Sequence, residues 1–117
     1  LQTTGGGSVI EATLPRAARA LFFDWRLPKD APADARVAVR VDGGDAVAVN
    51  TLATAALKPA GAWNRTRIAL GNAGWTISHN GAEPSALKLP ATGPVKEKLG
   101  LRSTEAATFG NIFVLPQ

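Results

Sequence analysis

Residues 21–27 (LFFDWRL) alternate along the chain: Leu21, Phe23, Trp25 and Leu27 share one side, and Phe22, Asp24 and Arg26 share the other. A period of two puts successive side chains on opposite faces of a strand, so this run is predicted as a strand with one buried face. Residues 36–41 repeat the pattern, with Val37, Val39 and Val41 inward and Arg36, Ala38 and Arg40 outward. Asp42-Gly43-Gly44-Asp45 follows. It is a turn signal, because Asp and Gly accept the positive φ of tight hairpins, and residues 46–50 are predicted to return as the second arm. A second hairpin is predicted from strands at 64–70 and 75–79 around Gly71-Asn72-Ala73-Gly74, closed by Asn80-Gly81. Further strands are expected at 9–14, 86–89, 99–102 and 109–115.

Between these runs the chain reads as connection. Residues 1–8 form a flexible linker or N-terminal tail, and residues 9–117 a single β-sandwich domain. Residues 16–20 (RAARA) are too few to nucleate a helix and read as a turn or edge. Residues 28–34 hold two prolines, and residues 51–62 are an Ala-rich connection. Short strands with turn signals between them, and no amphipathic helix of three turns, predict an all-β fold. Its expected form is a two-sheet antiparallel β-sandwich of jelly-roll type. Because such sandwiches bring their ends together, the strand at 9–14 is expected beside the strand at 112–115.

Composition narrows the chemistry. There is no cysteine, which removes disulfides, thiolate metal sites and cysteine nucleophiles. The net charge is +4, and residues 58–117 carry all of it, with seven basic and three acidic residues. Those cations are scattered and no aromatic platform lies between them, so nucleic acid is disfavoured as a partner. No run approaches the ~20 apolar residues of a membrane span. A processed form or a domain of a larger exported protein is expected, periplasmic, cell-surface or extracellular and of bacterial type.

The second half carries a pattern. Gly61-Ala62-Trp63-Asn64 leads through strand, turn and strand to His79-Asn80-Gly81, then to Leu99-Gly100-Leu101-Arg102 and Phe109-Gly110-Asn111-Ile112-Phe113-Val114. This resembles the ending of concanavalin A-like jelly-roll domains, and within them the 3-keto-disaccharide hydrolase family in a shortened form. Phe23-Asp24-Trp25-Arg26 and Val39-Arg40 are similar to that family's early strands. The resemblance implies a jelly roll that handles sugars. The interval 41–60 is short, however, and the chain has no tyrosine, so the family's Tyr-Glu motif has no counterpart. The motif residues also have physical roles. Trp63 is expected to seal the sandwich end. Asn80-Gly81 supplies positive φ, and Gly100 leaves room for close backbone packing. Asn111 is expected to satisfy backbone groups where the last strand bends.

Few residues suit catalysis. The one histidine, His79, sits at a hairpin end with no carboxylate or nucleophile beside it in sequence, and reads as a hydrogen-bonding turn residue. A glycosidase needs two carboxylates facing each other across a cleft. Asp24 is the carboxylate inside the 21–27 strand, and an ion pair with Arg36 or Arg40 is its expected role. Asp42 to Asp45 is read as a plain turn, with a calcium loop as the alternative. Trp25 and Trp75 are expected in the core. Trp63 is the tryptophan expected to be exposed, and Asn64-Arg65-Thr66 matches the glycosylation sequon.

The candidate carbohydrate-binding residues are therefore Asp24, Arg26, Arg36, Arg40, Trp63 and His79. Asp24 and the three arginines are expected on one sheet face. No catalytic residue, metal ligand or cofactor is assigned. The expected function is a non-catalytic jelly-roll module of a larger protein, with carbohydrate or a neighbouring domain as its partner. The alternatives are a minimal glycoside-processing enzyme and a structural packing domain.

Overall fold

A computed structural model describes residues 8–14, 16–89, 93, 95–96 and 98–116. The strands are β1 (Ser8–Thr13), β2 (Ala18–Arg26), β3 (Val37–Val41), β4 (Val47–Ala48), β5 (Asn64–Gly71), β6 (Gly74–His79), β7 (Ser85–Ala86), β8 (Lys98–Ser103) and β9 (Thr108–Pro116). A 3-10 turn covers Thr54–Ala56. The strands form two sheets, one of four strands in the order β1-β8-β3-β4 and one of five in the order β7-β6-β5-β2-β9. All the pairings are antiparallel. The expected all-β sandwich is the fold observed.

The period-two pattern is what packs the sheets. Leu21, Phe23, Trp25, Ile68, Trp75, Ile77 and Phe109 come from the five-stranded sheet. They meet Val37, Val39, Val41, Leu99 and Leu101 from the four-stranded sheet in one buried cluster. Trp25 and Trp75, expected in the core, are there, and so are Leu21, Phe23, Val37, Val39 and Val41 of the two alternating runs, while Leu27 is partly buried. The indole N–H of Trp75 has no hydrogen-bond partner among the described residues.

Turn chemistry fixes the registers. Asp42 and Gly43 have φ of 50° and 75°, and the Gly44 amide donates to the Val41 carbonyl at 3.0 Å. Asn80 and Gly81 repeat this with φ of 55° and 77°, and the Ala82 amide donates to the His79 carbonyl at 3.0 Å. Two successive positive φ values match the right-handed strand twist, which is why Asp-Gly and Asn-Gly occupy these turns.

Asn64 and Asn80 join the 51–62 connection to the β5–β6 hairpin. The buried Asn64 carboxamide oxygen accepts from the Lys58 amide (2.8 Å) and from Asn80 Nδ2 (2.9 Å). Asn80 Nδ2 also donates to the Ala56 carbonyl, and Asn80 Oδ1 accepts from the Arg65 amide. These two motif asparagines thus hold backbone. Asn64 is 2% exposed and its Nδ2 donates to the Lys58 carbonyl at 3.3 Å, so in the folded chain the sequon it begins is closed to modification.

Several expectations change. The first strand does not lie beside the last: β1 pairs with β8 in the four-stranded sheet, and β9 pairs with β2 in the other. Residues between β1 and β2 carry the chain from one sheet to the other, and Ile10 packs on the core from the four-stranded side. Both strands are sheet edges, so strand patterning alone carries no record of their partners. Ser8 belongs to β1 rather than to the tail, while residues 1–7 lie outside the described residues. The RAARA segment is partly strand: Ala18 and Ala20 are buried at the start of β2.

Truncating Phe23 or Phe109 to Ala should cost about 3–5 kcal/mol of unfolding free energy, because each is fully buried between the sheets. Urea denaturation of both variants is the measurement. A loss below ~1 kcal/mol at both positions would contradict this packing.

Candidate functional site

His79 is not at the surface. Strand parity turns it inward with Trp75 and Ile77, and it is 0% exposed. Thr66 lies directly across from it on β5. Trp25 Nε1 donates to Thr66 Oγ1 at 2.7 Å, and Thr66 Oγ1 lies 2.9 Å from His79 Nδ1. His79 Nε2 lies 3.0 Å from the Val49 carbonyl and 2.9 Å from the Leu52 carbonyl. Carbonyls only accept, so Nε2 carries the proton and Nδ1 accepts from the threonine hydroxyl. Every polar atom in this buried relay is used with the imidazole neutral. Burial lowers the His79 pKa from 6.5, with the two carbonyls opposing. His79 is thus sealed off from any surface ligand.

The outer face of the five-stranded sheet is satisfied from within. Arg65 sits opposite Asp24 on the neighbouring strand and donates to both its carboxylate oxygens, at 2.6 and 3.0 Å. Asn111 Nδ2 donates to the same carboxylate at 2.8 Å. Asn111 sits at φ 47° where the β2–β9 register shifts, so it bends the last strand but bonds a side chain rather than backbone. The Arg65 hydrogen bond, despite partial burial, lowers the Asp24 pKa from 3.8, and Asn111 adds to it. Arg26 stacks 4.9 Å from the Trp63 ring centroid, and Arg67 lies 5.5 Å from that of Phe22. Trp63 is 42% exposed, as expected, but one of its faces is already covered by a guanidinium.

The outer face of the four-stranded sheet differs. Arg40 and Ala38 project from β3, and across from them on β8 lie Gly100 and Arg102. Glu11 of β1 lies on the far side of Gly100. Two shallow recesses result. Glu11, Arg40, Gly43, Lys98 and Gly100 line the first. Arg36, Ala38, Ala46, Arg102 and Thr104 line the second. They are about two residues apart along the strands, or ~7 Å. Small residues make the floor and long cations make the walls. Gly100 is not crowded: a Cβ there would sit 3.6 Å from Arg40 Cβ, an ordinary contact. Arg40 is partly engaged, with Nε and Nη2 donating to the Gly44 and Gly43 carbonyls at 2.7 and 3.0 Å. The guanidinium is thereby held over the turn.

The expected site does not converge. Asp24, Arg26 and Trp63 belong to the five-stranded side, Arg36 and Arg40 to the outer face of the four-stranded sheet, and His79 to the interior. Asp24 pairs with Arg65, not with Arg36 or Arg40. Parity had assigned each arginine outward correctly, but outward from which sheet is a tertiary fact. Sequence reasoning missed Arg65, although it faces out of β5, and missed Glu11, Lys98, Gly100 and Arg102. At the 42–45 turn, Asp42 carboxylate oxygens accept from the Lys96 and Lys98 amides at 2.8 and 3.1 Å. Among the described residues no group of three or more His, Asp or Glu is placed to hold a metal ion. Among the described residues no helix is long and apolar enough to cross a membrane.

The sequence matches no family model and no curated protein. The fold is that of a galectin-like β-sandwich. A tetrameric galectin from the ball sponge Cinachyrella sp. superposes with a TM-score of 0.59 at 15% identity, over 92% of this chain and 99% of that one. At that identity the likeness concerns the fold.

The buried relay sets a pH dependence. Folding holds His79 neutral, so the unfolded chain binds more protons below the ordinary value of 6.5. Stability should be flat above that pH and fall as the pH drops through the window between 6.5 and the lowered folded value. The slope is bounded at about 1.4 kcal/mol per pH unit for one proton. Urea titrations between pH 5 and 8 check it, and His79→Gln should flatten the profile at lower overall stability.

Proposed function

We propose that this chain is a non-catalytic, saccharide-binding sandwich module of an exported or cell-surface protein, and that it binds on the outer face of the four-stranded sheet. The observation that carries this reading is the pair of adjoining recesses along β3 and β8, floored by Gly100 and Ala38 and walled by long polar side chains. A flat, small-residue floor admits a sugar ring, and Arg, Lys and Glu at its rim supply donors and an acceptor for hydroxyls. The galectin-like fold supports the same class of ligand. The opposite outer face is a weaker candidate, because its carboxylate and its indole are already engaged by Arg65, Asn111 and Arg26.

The 3-keto-disaccharide hydrolase resemblance would require proton-transfer groups at a common cleft. His79 is buried and bonded on both nitrogens, and Asp24 is held ionised by Arg65 on the other side of the sandwich from the recesses. This arrangement favours binding over cleavage. A packing role is favoured by one other observation: the edge strand β9 exposes Ile112, Phe113 and Leu115. That surface is separate from the recesses, so the two roles are compatible.

Gly100→Val adds a branched side chain onto the recess floor, at a position where the new Cβ meets only ordinary contacts and in a strand that favours β-branched residues. Calorimetric titration across a panel of oligosaccharides should find a ligand whose affinity this variant lowers by roughly tenfold or more, the scale of one displaced charge-assisted contact. The melting temperature should hardly change. Unchanged binding would move the site to Trp63 and the five-stranded face. Turnover of any disaccharide or 3-keto-disaccharide by the chain would overturn the non-catalytic reading.

A further inference from the structure

We infer that the recess between Arg36 and Arg102 takes the anionic group of an acidic saccharide, a carboxylate or sulfate ester carried on a sugar ring. This rests on the saccharide-binding reading above and names the class of ligand within it.

The two recesses differ in charge. The first contains Glu11 beside Arg40 and Lys98, a mixed rim suited to neutral hydroxyls. The second has Arg36 and Arg102 at its walls and no carboxylate among its lining residues. Arg102 lies directly across from Ala38, and Arg36 is two residues before Ala38 on the same face, so the two arginines are diagonal neighbours. Like charges so placed repel each other, and no salt bridge relieves either one among the described residues. An anion between them would remove that repulsion.

Arg36 is also held in place. The Arg36 backbone is fixed to Thr104 by two bonds, amide to Oγ1 at 2.8 Å and carbonyl from the Thr104 amide at 2.9 Å. Arg36 Nη1 donates to the Ala35 carbonyl at 3.1 Å, which leaves most of the guanidinium fork free. Because Thr104 Oγ1 accepts from Arg36, its hydroxyl proton remains to be donated. Two guanidinium groups and one hydroxyl around an alanine floor form a donor-rich recess without a carboxylate, of the kind that pairs with oxygen anions. The net charge of +4 favours the encounter with an acidic chain.

The test is calorimetry on the full chain with four probes: a trigalacturonate, a sulfated heparin-derived oligosaccharide, a neutral galacto-trisaccharide and an oligothymidylate of matching charge. At least one acidic saccharide should bind tenfold or more tightly than the neutral one. Its affinity should fall about 10- to 100-fold in Arg36→Ala and in Arg102→Ala, the scale of a lost charged hydrogen bond. Arg67→Ala, which removes one charge from the opposite face, should change it less than threefold. The preferred acidic probe identifies carboxylate or sulfate. Equal binding of neutral and acidic sugars, untouched by Arg36→Ala and Arg102→Ala, would overturn this inference and leave the saccharide reading standing. Oligothymidylate binding as tightly, with Arg67→Ala weakening it equally, would reduce the recess to general charge attraction and overturn it. No binding of any saccharide would remove the underlying reading along with this one.

Discussion

The hydrogen-bonded relay from Trp25 through Thr66 to His79 and the Val49 and Leu52 carbonyls is the constraint on which the sandwich depends. It links three strands of the five-stranded sheet and then reaches the segment leaving β4 of the other sheet. Unpaired, each of these buried polar groups would cost about 1–3 kcal/mol. Paired in series, they admit one tautomer and one sheet-to-sheet arrangement. An apolar interior could slide by a rotamer or a register. A relay with fixed donor and acceptor order cannot, so it fixes where β4 stands over β6. The outer face of β3, next to β4, inherits that placement.

What the chain spells out locally is legible in it. The alternations at 21–27 and 36–41 put Phe23, Trp25, Val37 and Val39 inward, and all are buried. Asp42-Gly43 and Asn80-Gly81 adopt the positive φ that their side chains permit. The same parity argument held a signal about His79 that its place beside a turn obscured: it follows Trp75 and Ile77 by steps of two, so it faces the core. Thr66 likewise falls in step with Asn64 and Ile68, all three buried.

Sheet membership was not legible, for a physical reason. Alternation reports which side of its own strand a residue occupies. It carries nothing about which sheet the strand joins. Asp24 and Arg40 are both outward, yet they lie on opposite sides of the sandwich, because β2 and β3 belong to different sheets. The error about β1 and β9 has the same origin. Pairing is set by long-range contacts and by crossings between sheets, and edge strands carry the least pattern to betray it. The candidate site failed to converge because Asp24 and its arginines were grouped by parity alone.

The two outer faces then divide by how their polar groups are satisfied. On the five-stranded face Asp24 has Arg65 and Asn111, Arg26 has Trp63, and Arg67 has Phe22. A ligand arriving there must first displace a partner, and each displacement subtracts from affinity. On the four-stranded face the carbonyl contacts of Arg36 and Arg40 orient the guanidinium groups without neutralising them. Their donors are pre-positioned, and at Arg36 no carboxylate lines the recess, so a ligand there gains the interaction without breaking one. That difference in prior satisfaction, more than the number of polar residues on either face, is what distinguishes the β3–β8 surface from the opposite one.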